Sequence, residues 1–387
     1  MVWGREVAVG TTHGGCRNMV FREAAVKRRP RMRLHRGFQR RAERYTLRLL
    51  AVALVYSGLM QCAIAQSWQA LPRAPIRTDR HEDVFFIDAE RGWVVNRDGE
   101  VHRTTDGGAS WQLGFQEPDA FFRSVVFTDS LRGWVGSLFS QYPLYATTDG
   151  GITFVPVADL TAPVPTGICG FWAVNAATVY GCGTYEGPAR LVKTHDGGAH
   201  WTTIDMSPWA ATLVDVHFVS PDSGFVVGGR GAFPHQSKAV VLWTADGGVS
   251  WTTRYLGSES GLWGWKISFP SRSTGYVSLE SGHNAPVFLK TTDGGKTWIE
   301  GDFVNVREQG IGFATENLGW IGGSPLTTYR TEDGGLTWVS DPFGRNVNSF
   351  HMLSPTLGYA VGRTVYKFSM PTVVSSKSIS AVKGVFR

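Results

Sequence analysis

The sequence predicts an all-β chain, a seven-bladed β-propeller of four-stranded antiparallel blades, and three observations predict it. The stretch "TTDGGASW" at 104–111 returns as "TTDGGITF", "THDGGAHW", "TADGGVSW", "TTDGGKTW" and "TEDGGLTW", with aspartates Asp106, Asp149, Asp196, Asp246, Asp293 and Asp333 spaced 43, 47, 50, 47 and 40 residues apart. A recurrence of 40–50 residues marks one supersecondary unit per period. Between the recurrences run short apolar segments broken by Gly, Asp, Asn and Pro, the pattern of strands and turns. Finally, three columns of bulky side chains recur in register with the aspartates.

The first strand of each unit carries the first column: Phe86, Phe127, Trp172, Phe218, Phe269, Phe313 and Met352. Two residues earlier stand mostly β-branched residues (Val84, Val125, Val216, Ile267, Ile311), which a two-residue step places on the same strand face. A turn follows ("DAERG", "TDSLRG", "SPDSG"), and the second strand carries Trp93, Trp134, Tyr180, Phe225, Tyr276, Trp320 and Tyr359. A variable loop and a third strand lead to the Asp–Gly–Gly turn. There the carboxylate is expected to accept hydrogen bonds from its own turn, and the glycines to supply the positive φ of a tight reversal. The fourth strand begins at the third column: Trp111, Phe154, Trp201, Trp251, Trp298 and Trp338.

Two columns count seven and the third counts six, because the last unit, from about Val347 to Met370, has only three strands. The missing aromatic is Trp68 in "SWQAL", which mirrors "SWQLG" after Asp106. The N-terminal strand of the mature chain is therefore expected to complete the last blade, closing the ring and covering its edge.

Residues 1–65 read as a leader. They hold 13 Lys/Arg and three acids, so the formal charge of +6 conceals a body with 25 bases and 29 acids. A nucleic-acid function would rest on the leader alone. Within it an Arg-rich stretch precedes the apolar run "LLAVALVYSGLM" and the small residues Ala63 and Ala65, the order of a secretory signal peptide cleaved after Ala65. Met32 is a more economical start. Cys62 is a poor lipidation site, because Gln61 stands where a small residue is wanted. The expected organisation is leader 1–65, propeller 66–370 and a disordered tail 371–387, in a periplasmic or extracellular monomer. Cys169 and Cys182, the two cysteines of the mature part, flank one predicted hairpin and could form a disulfide there or remain buried thiols.

The turns match the Asp-box of the bacterial neuraminidase repeat, which sialidases, sortilin-type receptors and xyloglucan-cleaving glucanases carry. The fuller pattern, F-x-D/S … G-W-x-V-G … T-x-D-G-G-x-x-W, resembles the photosystem II stability/assembly factor family over about Ser67 to Met370. The resemblance implies a single exported propeller that binds a protein partner while a membrane complex is assembled, without catalysis or cofactor. It also implies an arginine-rich surface patch, which no short motif places.

Propeller sites sit where the first strands converge on the central channel. Four residues before the first column stand Glu82, Arg123, Trp265 and Asn348; three before it stand Asp83, Asp215 and Lys266; Arg307, Glu308 and Arg345 lie just upstream. The expected partner contacts are Arg123, Trp263, Trp265, Lys266, Arg307 and Arg345. Trp265 could equally plug the channel. The competing reading is a carbohydrate-active propeller, hydrolase or glycan-binding module, with Asp83 and Asp215 as the carboxylate pair. Sialidases expect F/Y-R-I-P before the first Asp-box, whereas "FFRSV" at 121–125 follows it and lacks Ile–Pro. No phosphate loop, nucleophile elbow or metal-ligand spacing occurs, so catalytic, metal and cofactor residues are expected to be none.

Overall fold

The computed structural model describes residues 67–281, 288–301, 307–324 and 328–369, with the side chains of 281, 307–309 and 324 also set aside. The leader with Met32 and Cys62, the tail from 371 and the Arg307 side chain lie outside the described residues. Seven four-stranded antiparallel sheets surround a central channel. Blade 1 is built from His81–Phe86, Gly92–Asn96, Glu100–Thr104 and Gln112–Gln116. The innermost strands of blades 2 to 7 are Phe121–Phe127, Gly170–Ala173, Thr212–Phe218, Leu262–Ser268, Arg307–Phe313 and Ser349–Ser354. Blade 7 is completed by Ser67–Ala70, which pairs antiparallel with Val365–Ser369 so that Trp68 faces Phe368. The ring closes as the columns predicted. Trp68 is buried there, stacked on Phe343 at 5.1 Å and edge-on to Trp320 of blade 6 at 5.3 Å.

The columns make the joints between blades. At five of the seven joints the second-column ring of one blade is stacked on the first-column ring of the next, most closely Trp93 on Phe127 at 3.5 Å, Tyr180 on Phe218 at 3.7 Å and Tyr276 on Phe313 at 3.5 Å. Tyr359 of blade 7 lies on Phe86 of blade 1 at 3.4 Å, so the closing joint repeats the others. Third-column rings then meet the previous blade edge-on, as Trp201 meets Trp134 at 5.8 Å. Aromatic pairs in these geometries contribute about 0.5–1.5 kcal/mol beyond their area burial.

This packing accounts for the glycine before the second column. Gly92 pairs with Phe86 across the hairpin, and a Cβ there would fall 2.5 Å from the Phe86 ring; Gly133 stands in the same relation to Phe127. The ring lies over the glycine, so any side chain would displace it from the joint.

Each Asp-box turn is a closed hydrogen-bond set. In the first, Thr104 Oγ1 and Ser110 N each donate to Asp106 Oδ1 at 2.8 Å, and Ser110 Oγ donates to Oδ2 at 2.6 Å. Gly107 and Gly108 take φ of 69° and 87°, a region open to glycine at little cost. The Ser110 hydroxyl and amide draw the Asp106 carboxyl down to about 2. Asp246, Asp293 and Asp333 reach about 2 for the same reason, and Asp149 does so against some burial. Asp196 is lowered by His200. The turn also serves the joint: its first glycine carbonyl accepts from the previous blade, Gly150 O from Trp93 Nε1 at 2.9 Å and Gly334 O from Tyr276 at 3.2 Å.

Trp68→Ala should cost about 3–5 kcal/mol, as a large buried side chain lost from a closing strand, and urea denaturation would measure it. A loss under about 1 kcal/mol would mean that the ring does not depend on this strand.

Stability should also fall on acidification in two stages. Burial lowers His81 to about 4 and His217 to about 3 from an ordinary 6.5, so the unfolded chain binds more protons below about 6.5 and stability drops from there. The Asp-box carboxylates are depressed too; their contribution is complete above about 4 and is lost as the pH falls toward 2. Denaturation at stepped pH would show a flat profile from 6.5 to 4 if the histidines were not buried neutral.

Candidate functional site at the plugged end of the channel

Five of the seven first strands enter the channel through an irregularity. Register shifts fall between His81/Asp83, Phe122/Ser124, Leu213/Asp215, Gly264/Lys266 and Glu308/Gly310. A bulged residue is re-aimed relative to the ladder. Here the bulge residues Glu82, Arg123, Val214 and Trp265 are buried, and Asn348 of blade 7 is buried beside them. They plug the channel. Arg123 Nη1 donates to Glu82 O at 3.3 Å, and its guanidinium lies 5.1 Å over the Trp265 ring. Asn348 Nδ2 donates to the same carbonyl at 2.9 Å, and Arg80 Nε donates to Glu82 Oε1 at 3.2 Å. Burial works against the Arg123 charge, but Glu82 and the neighbouring acids outweigh it and raise the guanidinium pKa.

Three of the expected partner contacts, Arg123, Trp263 and Lys266, are thereby found buried, and for Trp265 the structure shows the plugging alternative. Arg123 is 1% exposed, Trp263 and Trp265 are buried, and Lys266 is buried on the far side of the plug. The reason is geometric: seven innermost strands converge on a narrow channel, and the bulge turns these side chains inward. Trp263 packs edge-on against Phe233 at 4.8 Å. Of the expected contacts, Arg345 is exposed.

An arginine group does assemble around the plug, in which Arg345 is joined by Arg77, Arg97 and Arg363, residues the sequence analysis did not name. Arg77 N donates to Arg363 O at 2.8 Å, Arg363 N to Arg345 O at 3.0 Å, and Arg363 Nε to Arg77 O at 3.3 Å. Arg97 Nη1 lies 3.6 Å from Asp79 Oδ2, which Arg77 also engages. Asp79, Asp98 and Glu100 surround Arg77, while Arg345 faces solvent with no acid beside it among the described residues. Next to this group Phe139 stands 64% exposed, at a φ of 57° that non-glycine residues rarely adopt, 6.2 Å from Phe121. Arg97 covers the Phe121 ring at 5.5 Å. Cationic and apolar surface thus adjoin. The composition gave no signal for this, since the arginines come from the two ends of the propeller and meet only on closure.

The carboxylates weighed as a catalytic pair have structural partners. Asp83 accepts from Val125 N of blade 2 at 3.1 Å and from Ser349 Oγ of blade 7 at 2.7 Å. Asp215 accepts from Ile267 N of blade 5 at 3.1 Å, and burial raises its pKa while Lys266 opposes the rise. Each stitches its blade to a neighbour.

Cys169 and Cys182 are free buried thiols, which excludes the disulfide alternative in this structure. The register sets Gly170, not Cys169, opposite Cys182, and successive residues leave a strand on opposite faces. Cys169 accordingly packs with Val214, Trp263 and Trp265, and Cys182 with Leu191 and Val240. Among the described residues no group of His, Cys, Asp and Glu is arranged to hold a metal ion.

Asp215→Ala should cost about 1–3 kcal/mol by leaving the Ile267 amide without its acceptor, which thermal or urea unfolding would reveal. Unchanged stability would return Asp215 to consideration as a chemical group.

Comparison with known proteins agrees with this architecture. The family model described as "Photosynthesis system II assembly factor YCF48" matches residues 196–301. The photosystem II assembly lipoprotein Ycf48 of Synechococcus sp. (strain CC9902) is 25% identical over 313 residues, 76% of this chain and 87% of that protein. Among solved structures, YCF48 bound to D1 peptide superposes with a TM-score of 0.59 at 19% identity, covering 79% of this chain and 98% of that one. An ancestral GH74 enzyme gives 0.60 at 16% identity, but this chain covers 46% of its length. The chain is thus a seven-bladed propeller that is similar to photosystem II assembly factors in one segment, in a curated relative and in fold.

Proposed function

We propose that this chain is an exported, non-catalytic propeller that holds a protein partner on the plugged face during assembly of a membrane complex. One observation carries the reading: Arg77, Arg80, Arg97, Arg345 and Arg363 gather at one end of the channel beside exposed Phe139, while the acids there occupy only part of them. Such a surface suits a segment that offers carboxylates and one apolar anchor. The solved relative bound to D1 peptide supports a peptide-like ligand. The curated relative is a lipoprotein, which supports membrane association and reopens Cys62 as an anchor point. Cleavage after Ala65 would leave the closing strand from Ser67 intact, and mass spectrometry of the mature N-terminus separates the two modes.

The glycoside hydrolase reading keeps less support, because the carboxylates it needs are committed between blades. Arg345→Glu combined with Arg97→Glu should weaken capture of the partner from native membranes about tenfold or more and reduce its salt sensitivity, with folding unchanged. Capture that survives the double substitution would overturn the assignment of this face. Robust turnover in a fluorogenic glycoside screen would overturn the non-catalytic reading.

A further inference from the structure

Beyond the plug the channel holds a cavity of about 290 Å3, bounded by the innermost strands of all seven blades. The plug closes it at one end with fully buried side chains. At the other, Phe85, Phe171, Trp172 and His351 are only partly buried, so the cavity is reached from the face opposite the arginine group. Its polar lining is small in number and mixed in kind: Asp83, Asp215, Lys266, Ser349 and His351.

Lys266 is the group that points to a ligand. It is 8% exposed, and its ammonium lies 3.9 Å from Asp215 Oδ1, beyond hydrogen-bond length. No hydrogen-bond acceptor for it occurs among the described residues. A buried ammonium with three donors is costly unless something accepts from it. Across the cavity Asp83 is engaged only by neutral donors, the Val125 amide and the Ser349 hydroxyl, so its oxygens retain accepting capacity. His351 Nε2 lies 2.9 Å from Phe86 O, and burial lowers its pKa, so at neutral pH it adds no charge.

A ligand here must therefore offer an acceptor to Lys266 and a donor to Asp83. A simple anion would meet Asp83 and Asp215; a simple cation would meet Lys266, with Arg123 behind the plug. A neutral polyhydroxylated ring meets neither conflict, because each hydroxyl both donates and accepts. Its apolar face also matches the aromatic walls, in which Trp172 lies against His217 at 3.9 Å and is held in place by it. The volume, at the lower end for ligand pockets, suits one such ring rather than a chain of them. From this we infer that the cavity is a binding site for a single neutral sugar or similar polyol, separate from the protein-binding face and without turnover, since no carboxylate in it is free of an interblade bond.

Calorimetric titration of the purified chain tests this with glucose, galactose, mannose and N-acetylglucosamine, against choline and N-acetylneuraminic acid as charged controls. Saturable binding of at least one neutral sugar is expected, weakened about tenfold or more in Lys266→Met, as for a lost hydrogen bond to a charged group. Should Lys266→Met fail to fold, Trp172→Ala at the mouth decides, with loss of the same sugar expected. Binding of none of the neutral sugars, binding of choline or N-acetylneuraminic acid alone, or binding undiminished in the folded variants would each overturn the inference. Partner capture through the arginine face is measured separately, so the two readings can fail independently.

Discussion

The structure depends on one repeated contact: an aromatic ring on the second strand of a blade, lying flat on the first-strand ring of the next. A four-stranded blade has two apolar faces and cannot bury either alone. The stack fixes how far each blade is rotated from its neighbour, and the glycine beneath it sets the depth, since no side chain fits under the ring. Once that rotation is set, seven blades close the circle, and Tyr359 on Phe86 is simply the last instance. The Asp-box turns follow from the same joint. Their carbonyls accept from the stacking residues or the third-strand lysines of the previous blade, as Gly107 O does from Lys367, so the motif serves position as well as reversal.

Closure also determines where charge can sit. Seven first strands leave room along the axis for few side chains, and the bulges fill one end of it with Glu82, Arg123, Trp265 and Asn348. Charged groups buried there are held by pairing and by carbonyls, as low-polarity surroundings require. The channel becomes two separate surfaces. One end is sealed and bears arginines outside the seal; the other opens into a mixed-polarity cavity. The buried plug therefore separates the arginine surface from the cavity.

Much of this was legible in the amino-acid sequence, because the repeat states it seven times. The third-column aromatic stands five residues after every aspartate, and the first two columns keep a nearly fixed distance from each other, so columns identify strands without any propensity argument. Trp68 could be assigned to the last blade because "SWQAL" repeats "SWQLG". The box carboxylates were legible for a local reason: their partners lie within four residues. The site was far less so. Arg123 read as a partner contact, and Trp265 as either a contact or a plug, because a bulge shifts alternation by one and leaves no mark in composition. Cys169 and Cys182 flank a hairpin, yet a single step of register sends them to opposite faces.

What the sequence determined by itself is therefore the unit and its number: strand, turn, strand, seven times over, with an Asp-box in six of them and the first strand lent to the last blade. Those features are local or repeated, and a repeat carries its own alignment. What only the tertiary structure decided is which residues meet. Arg77 and Arg363 are 286 positions apart and touch because the ring closes between them. Asp83 reaches both blade 2 and blade 7 for the same reason. Contacts across a closure are set by the accumulated rotation of every blade, and no window of sequence contains that sum.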